Sequence, residues 1–201
     1  MNPVTEQPTA EKPLRADARR NRERVLAAAR KCFGEQGYET QMTDVARKAG
    51  VGVGTVYRHF PDKTALVEAL VAERFRQFTE GARKALEVED AWAGFREWLW
   101  RCGEIQAEDR MVCDFITEAV GAERREAIAE DEGLAEATRA VIAHAKDAGA
   151  IRETVEPEDI PTMMCGLGAV ARSEDDPSGR VWRRHLEFML DGLRDPSYSA
   201  K

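Results

Sequence analysis

The sequence has no apolar run long enough to span a bilayer, so neither a membrane-spanning helix nor a membrane partner is expected. Its opening stretch, MNPVTEQPTAEKPLRA, lacks the apolar centre of a secretory signal. Cysteine is scarce: Cys32, Cys102, Cys113 and Cys165 stand far apart, with no CxxC or CxxH spacing. A disulfide framework or a structural zinc site is therefore not expected, and buried reduced thiols in a cytoplasmic protein are. No alternating β-branched run of strand length occurs, so a sheet is not expected. No nucleophile–base pair or metal triad can be read, which argues against an enzyme using Cys102, Cys113, His144 or His185. No cofactor or metal is expected.

What is present is helix-forming. Ala, Leu, Glu and Arg dominate between joints where glycine and proline gather, and a third of the 201 residues are charged. The net charge of −7 argues against a nucleic-acid partner only if it is spread evenly, and it is not. Residues 17–63 hold ten Arg or Lys against six Asp or Glu, a local +4; residues 1–16 cancel, leaving −11 for the rest. A basic N-terminal segment on an acidic body suits a protein that turns one face toward phosphates.

That segment contains TQMTDVARKAGVGVGTVYRHFPDK, Thr40 to Lys63. Val45, Ala46 and Ala49 fall on one helical face, and Val53, Val56, Tyr57 and Phe60 recur at helical steps on a second. Gly50 between them can adopt the left-handed conformation that ends a helix. A small residue, a glycine four later and a branched apolar residue six after that form the pattern of a helix-turn-helix, whose second helix lies in the DNA major groove.

The stretch GYETQMTDVARKAGVGVGTVYRHFPDKTAL resembles the DNA-binding signature of the TetR family of transcriptional regulators. The resemblance reaches back through RNRERVLAAARKCFGEQG and returns weakly in WRRHLEFMLDGL. The family commonly has Ser-Lys where this chain has Gly52-Val53.

In chain order, residues 1–16 read as a disordered arm, with Arg15, Arg19, Arg20 and Arg22 at its end; arms of this kind in the family sometimes touch DNA. The first helix is expected over Asp17–Gln36 with Val25, Leu26, Ala29, Cys32 and Phe33 inward, stopped by Gly37. The second is expected over Gln41–Ala49, capped by Thr40. Thr40, Gln41 and Thr43 stand where a helix N-terminus can hold a phosphate. The third, Val53–His59, is ended by Pro61. Its outer side offers Gly54 for close backbone approach, Val53 and Thr55 for thymine methyls and Arg58 for guanine. Tyr57 and His59 match family positions that contact phosphate, as does Lys63 in the first turn of a long fourth helix capped by Asp62.

The body begins near Asp90. AWAGFREWLWRCGEIQ, MVCDFITEAV and LAEATRAVIAHAKDAGAI read as helices, the last stopped by Gly149; AERREAIAEDEG reads as a charged loop or frayed end. By resemblance this region holds a small-molecule effector, with Trp92, Phe95, Trp98, Cys102, Met111, Phe115, His144, Met163 and Met164 as candidate lining. The final two helices, one starting near Ile160 and one opened by Asp-Asp-Pro, carry a stripe at Met164, Leu167, Val181, Trp182, Leu186, Met189, Leu190 and Leu193. In the family such helices form a four-helix homodimer interface. DPSYSAK reads as frayed.

The expected architecture is all-α: an arm at 1–16, a three-helix DNA-binding domain at 17–63 and a helical effector-binding and dimerisation domain at 64–201. The expected function is a repressor that binds a palindromic site on double-stranded DNA as a homodimer and leaves it on binding an effector. An effector-independent regulator or activator is the alternative within regulation. A helical small-molecule binding protein or enzyme is the alternative outside it.

Overall fold

The computed structural model describes residues 11–108, 120–171 and 178–199. These residues are helical, with no strand among them; one isolated antiparallel bridge joins Ile151 and Arg194. The chain divides into two compact units, one ending at Leu66 and one starting at Val67.

The first unit opens with α1, Glu11–Gln36, which starts earlier than the sequence suggests. Pro13 lies in its first turn, where a helix has no use for the missing N–H, so the proline does not delay the start. Val25, Leu26, Ala29, Cys32 and Phe33 are buried as their spacing predicts. Gly37, at φ +57°, turns the chain into a short 3-10 segment, Gly37–Glu39.

Helix α2, Met42–Ala49, buries Met42, Val45, Ala46 and Ala49. Its N-cap is Gln41, not Thr40: the Gln41 backbone is extended, and its N–H donates to the Asp44 carboxylate at 3.3 Å. Thr40 instead turns inward, 1% exposed. Gly50 closes α2 at φ +64°, and the Val51 N–H reaches back to the Ala46 carbonyl at 3.1 Å. Helix α3, Val53–His59, follows, anchored by buried Val56 and by Phe60 just beyond its end. Helix α4, Lys63–Ala85, begins behind Asp62, whose carboxylate accepts the Ala65 N–H at 2.7 Å.

The second unit holds most of α4 together with α5 (Ala91–Glu108), α6 (Ala122–Asp131), α7 (Leu134–Asp147), α8 (Asp159–Ala171) and α9 (Arg180–Leu193). The expected helix MVCDFITEAV lies outside the described residues but for Val120, and so do Asp175, Asp176 and Pro177. Helix α9 starts later than an Asp-Asp-Pro opening implies, behind Gly179 at φ +68°. The charged stretch expected as a loop or frayed helix end is helix α6: its alanines, glutamates and arginines favour helix, and Ile128 is the buried anchor. Two ion pairs fasten it to α4. Arg124 donates to Glu68 at 2.8 Å, and Arg76 makes a two-pronged pair with Glu132 at 2.9 and 3.0 Å.

The core of this unit gathers Phe95, Trp98, Leu99 and Cys102 of α5, Val141 and Ile142 of α7, Met164 and Leu167 of α8 and Trp182, Leu186 and Leu190 of α9. The Trp98 indole N–H donates to the Phe78 carbonyl at 3.1 Å, which satisfies its one polar atom. Gly94 admits no side chain, since a Cβ there would lie 2.4 Å from the Ala85 carbonyl oxygen.

The tail after α9 is not frayed. The Asp195 N–H donates to the Ala150 carbonyl at 3.1 Å, the Arg194 guanidinium lies 5.3 Å from the Trp92 ring centre, and the Tyr198 hydroxyl donates to Asp90 at 3.0 Å. Asp90 also accepts the Trp92 and Ala93 N–H groups and so caps α5. The low hydropathy of DPSYSAK conceals these partners, because each lies far away in sequence.

Candidate nucleic-acid interface

Helix α3 presents its side chains in two sets. Val56 is fully buried, with Phe60 after it, and this pair fixes the helix to α1 and α2. Gly52, Val53, Gly54, Tyr57 and Arg58 are exposed; Thr55 and His59 are half-buried. Val53 and Tyr57 keep 43% and 48% of their surface open to solvent, a high value for apolar and aromatic side chains on so short a helix. Arg58 has no partner among the described residues. A Cβ at Gly54 would meet nothing within 4 Å, so the glycine leaves the outer backbone bare. A bare backbone flanked by a thymine-compatible apolar contact, a phenol and an unpaired guanidinium is a surface suited to a groove edge.

The neighbouring positions divide. Gln41 and Thr43 are exposed at the start of α2, and the Gln41 amide donates to the Glu39 carbonyl at 3.0 Å. Thr40 is not at this surface: its hydroxyl is buried and has no hydrogen-bond partner among the described residues. Its place as a phosphate contact is therefore withdrawn, because a side chain closed off by the core cannot reach solvent. Arg20 is exposed and paired with Asp17 one turn away, and Arg19 pairs with Glu23. Lys63 is half-buried, its ammonium 5.9 Å from the Phe33 ring centre. Burial pulls its pKa below the usual lysine value, and the Glu39 carboxylate pulls it back up.

Several cations of this segment are engaged locally, while its net +4 is unchanged. Lys48 pairs with Glu35, Arg47 with Asp44, Arg22 lies 5.3 Å from the Phe60 ring centre, and Arg24 donates to backbone carbonyls. Arg22 and Arg24 were legible only as charge. The turn and ring they hold lie more than twenty residues away in sequence.

In the second unit many of the residues expected at the pocket and the interface are buried. Phe95, Trp98, Cys102 and Met164 are core residues, 1–9% exposed. Burial pushes the Cys102 thiol up to about 12, so at neutral pH it is an inert thiol. His144 points to solvent on α7, Trp92 and Met163 are half-buried, and Met111 and Phe115 lie outside the described residues. A cavity of about 430 Å³ lies between α4 and α5, and of the expected lining Trp98 alone borders it, beside Gly81, Lys84 and Arg101; another of about 430 Å³ lies beside Glu104, Trp182 and Arg183.

The expected dimer stripe is likewise spent inside the protomer. Leu167, Trp182, Leu186, Leu190 and Leu193 are 0–6% exposed and pack on α5, as Met164 does, because the stripe is the one broad apolar arc these helices own. Val181 and Met189 are half-buried. The residue left outside is Phe188, 63% exposed, with exposed His185 one turn before it. On α8, Thr162, Cys165, Gly166 and Ala169 are exposed.

A short exposed helix set on a glycine turn, followed along the chain by a helical second unit, defines the class of helix-turn-helix regulators. Residues 25–70 match the family described as bacterial regulatory proteins, tetR family, and residues 89–195 match the SbtR-like C-terminal domain of transcriptional regulators. The chain belongs to the TetR family of transcriptional regulators. A TetR transcription regulatory protein from Mycobacterium vanbaalenii is 33% identical, at a TM-score of 0.65 over 90% of this chain and 99% of that one. A TetR transcriptional regulator from Streptomyces coelicolor is 27% identical, at a TM-score of 0.67 over 88% and 99%. An HTH-type transcriptional regulator of Staphylococcus aureus is 46% identical over 54 residues, which is 26% of this chain and 29% of that relative. Within the described residues, no helix is long and apolar enough to cross a membrane.

Proposed function

We propose that the protein is a repressor that binds a palindromic DNA site as a homodimer and is released by a small-molecule effector. The observation that carries the reading is the outer side of α3, where Gly54, Tyr57 and Arg58 are exposed while Val56 and Phe60 hold the helix from behind. Arg58 reads a base edge, Tyr57, His59 and Lys63 hold phosphates, and Gln41 and Thr43 add contacts at the start of α2. Thr55 and Val53 supply apolar contact to thymine methyls. The protein acts in the cytoplasm, where its DNA is.

One such helix reads one half-site, so two copies related by a twofold axis are required for a palindrome. With the apolar stripe committed to the core, the pairing surface is the exposed side of α8 and α9, with Phe188 as anchor and Cys165, Gly166 and Ala169 allowing close approach. The effector binds in the second unit and favours a state with lower DNA affinity.

The test is selection of bound genomic fragments by the purified full chain, repeated with small molecules added. Recovery of sites with inverted symmetry supports the reading. Loss of enrichment with one of the added compounds supports effector release. Recovery of fragments without common sequence contradicts it.

A further inference from the structure

We propose that Arg24 is a positioning residue for DNA reading: it fixes the turn between α2 and α3 and makes no contact with phosphate. The inference rests on the DNA-binding function proposed above. Arg24 leaves α1, and its Nη2 donates to the Ala49 carbonyl at 2.7 Å and to the Gly50 carbonyl at 3.3 Å. Ala49 is the last residue of α2, so its carbonyl has no partner inside that helix. A cation at this end also meets the negative pole of the helix.

The fit at the turn is close. Gly50 sits at φ +64°, and a Cβ built on it would lie 3.0 Å from Arg24 Nη2. The glycine therefore answers two demands, a left-handed backbone and room for the guanidinium. Two residues earlier on α1, the Arg22 guanidinium lies 5.3 Å from the ring centre of Phe60, the residue just after α3. One helix thus holds the approach to α3 through Arg24 and its exit through Arg22. Loss of Arg24 frees two carbonyls and the angle at which α3 leaves the turn, while Arg58 and Tyr57 stay on their helix.

Positioning and phosphate contact give opposite salt behaviour. A phosphate contact contributes about 0.9 to the slope of log affinity against log salt for each copy, on any sequence. A positioning residue contributes to the specific site and leaves that slope alone.

The experiment compares wild type, Arg24→Ala and Arg24→Lys on two duplexes, the fragment most strongly selected by wild type and a random sequence of equal length. Binding is measured from 50 to 300 mM salt, about the range over which phosphate contacts separate. We expect Arg24→Ala to bind the selected fragment about tenfold more weakly, the loss a charge-assisted hydrogen bond implies. Its slope and its binding to the random duplex should match wild type. Arg24→Lys, which keeps the charge and a donor nitrogen on a side chain of different reach, should fall between. A slope reduced on both duplexes, with equal loss of affinity, overturns the inference in favour of a phosphate contact. Unchanged affinity for the selected fragment overturns it outright. Should Arg24→Ala lose its cooperative thermal transition, Arg24→Lys is read by the same three criteria. Failure of wild type to bind either duplex contradicts the DNA-binding function itself, and so is distinguishable from failure of the Arg24 role.

Discussion

Arg58 and Tyr57 are neighbours on α3 with different expected duties. Arg58→Ala should relax preference at one base position per half-site, at a cost of about 1–3 kcal/mol, the worth of a bidentate base contact. Tyr57→Ala should weaken binding across sequences and leave the preference intact. Site selection with randomised duplexes measures both. Asp90 offers a residue-scale test in the second unit. The Ala93 N–H first, then the Tyr198 hydroxyl and the Trp92 N–H, hold its carboxyl below the usual carboxylate range. A depressed carboxylate contributes stability that is present above its unfolded pKa and lost as pH falls through the folded one. Asp90→Ala should therefore cost about 1 kcal/mol at pH 7, the value of a helix cap, and less as pH falls below about 4, the unfolded aspartate value. Thermal melts across pH check this. Cys102 and Cys165 should also separate: an alkylating reagent at pH 8 should label exposed Cys165 in the folded protein and spare Cys102, whose pKa is about 12. Peptide mass mapping reads the difference.

Among the elements, two glycines make contrary forecasts. Gly94→Ala forces a methyl against the Ala85 carbonyl where α5 crosses the end of α4, and should destabilise by more than about 2 kcal/mol. Gly54→Ala meets open space, so it should leave the melt unchanged or raise it. If α3 approaches a base edge through its bare backbone, Gly54→Ala should nonetheless weaken DNA binding. Melting curves and binding titrations on the same two variants test both statements. Elements with strong local signals were legible beforehand: the glycine stop of α1, the α2–Gly50–α3 unit and the Asp62 cap all follow from neighbours in sequence. What escaped depends on partners far along the chain. Thr40 has a capping side chain, but the core claims it and Gln41 takes the cap. Helix α6 carries too few apolar residues to announce itself, and the Arg124–Glu68 and Arg76–Glu132 pairs that fasten it span 56 residues. The two-pronged pair should show the larger coupling in double-mutant cycles. Both couplings should remain small, since Arg76 and Arg124 are about half exposed and solvent screens the pairs.

The whole molecule must reconcile an acidic body with a basic N-terminal segment. Periodicity marks which side of a helix is apolar and says nothing of what covers it. Trp182, Leu186 and Leu190 turned out to face α5, and Phe188 was left as the exposed aromatic of α9. Phe188→Glu should hence leave the fold intact and shift the chain toward monomer in analytical ultracentrifugation. Binding to a palindromic fragment should fall with it, because each half-site alone is held weakly. The central claim is tested most directly by one measurement, the affinity of the intact chain for a selected palindromic fragment as salt is raised. The account predicts tight binding at low salt, a linear fall of log affinity with log salt, and a clear excess over random duplex at every concentration. Absent binding, or binding equal on both duplexes at all salt concentrations, would contradict it.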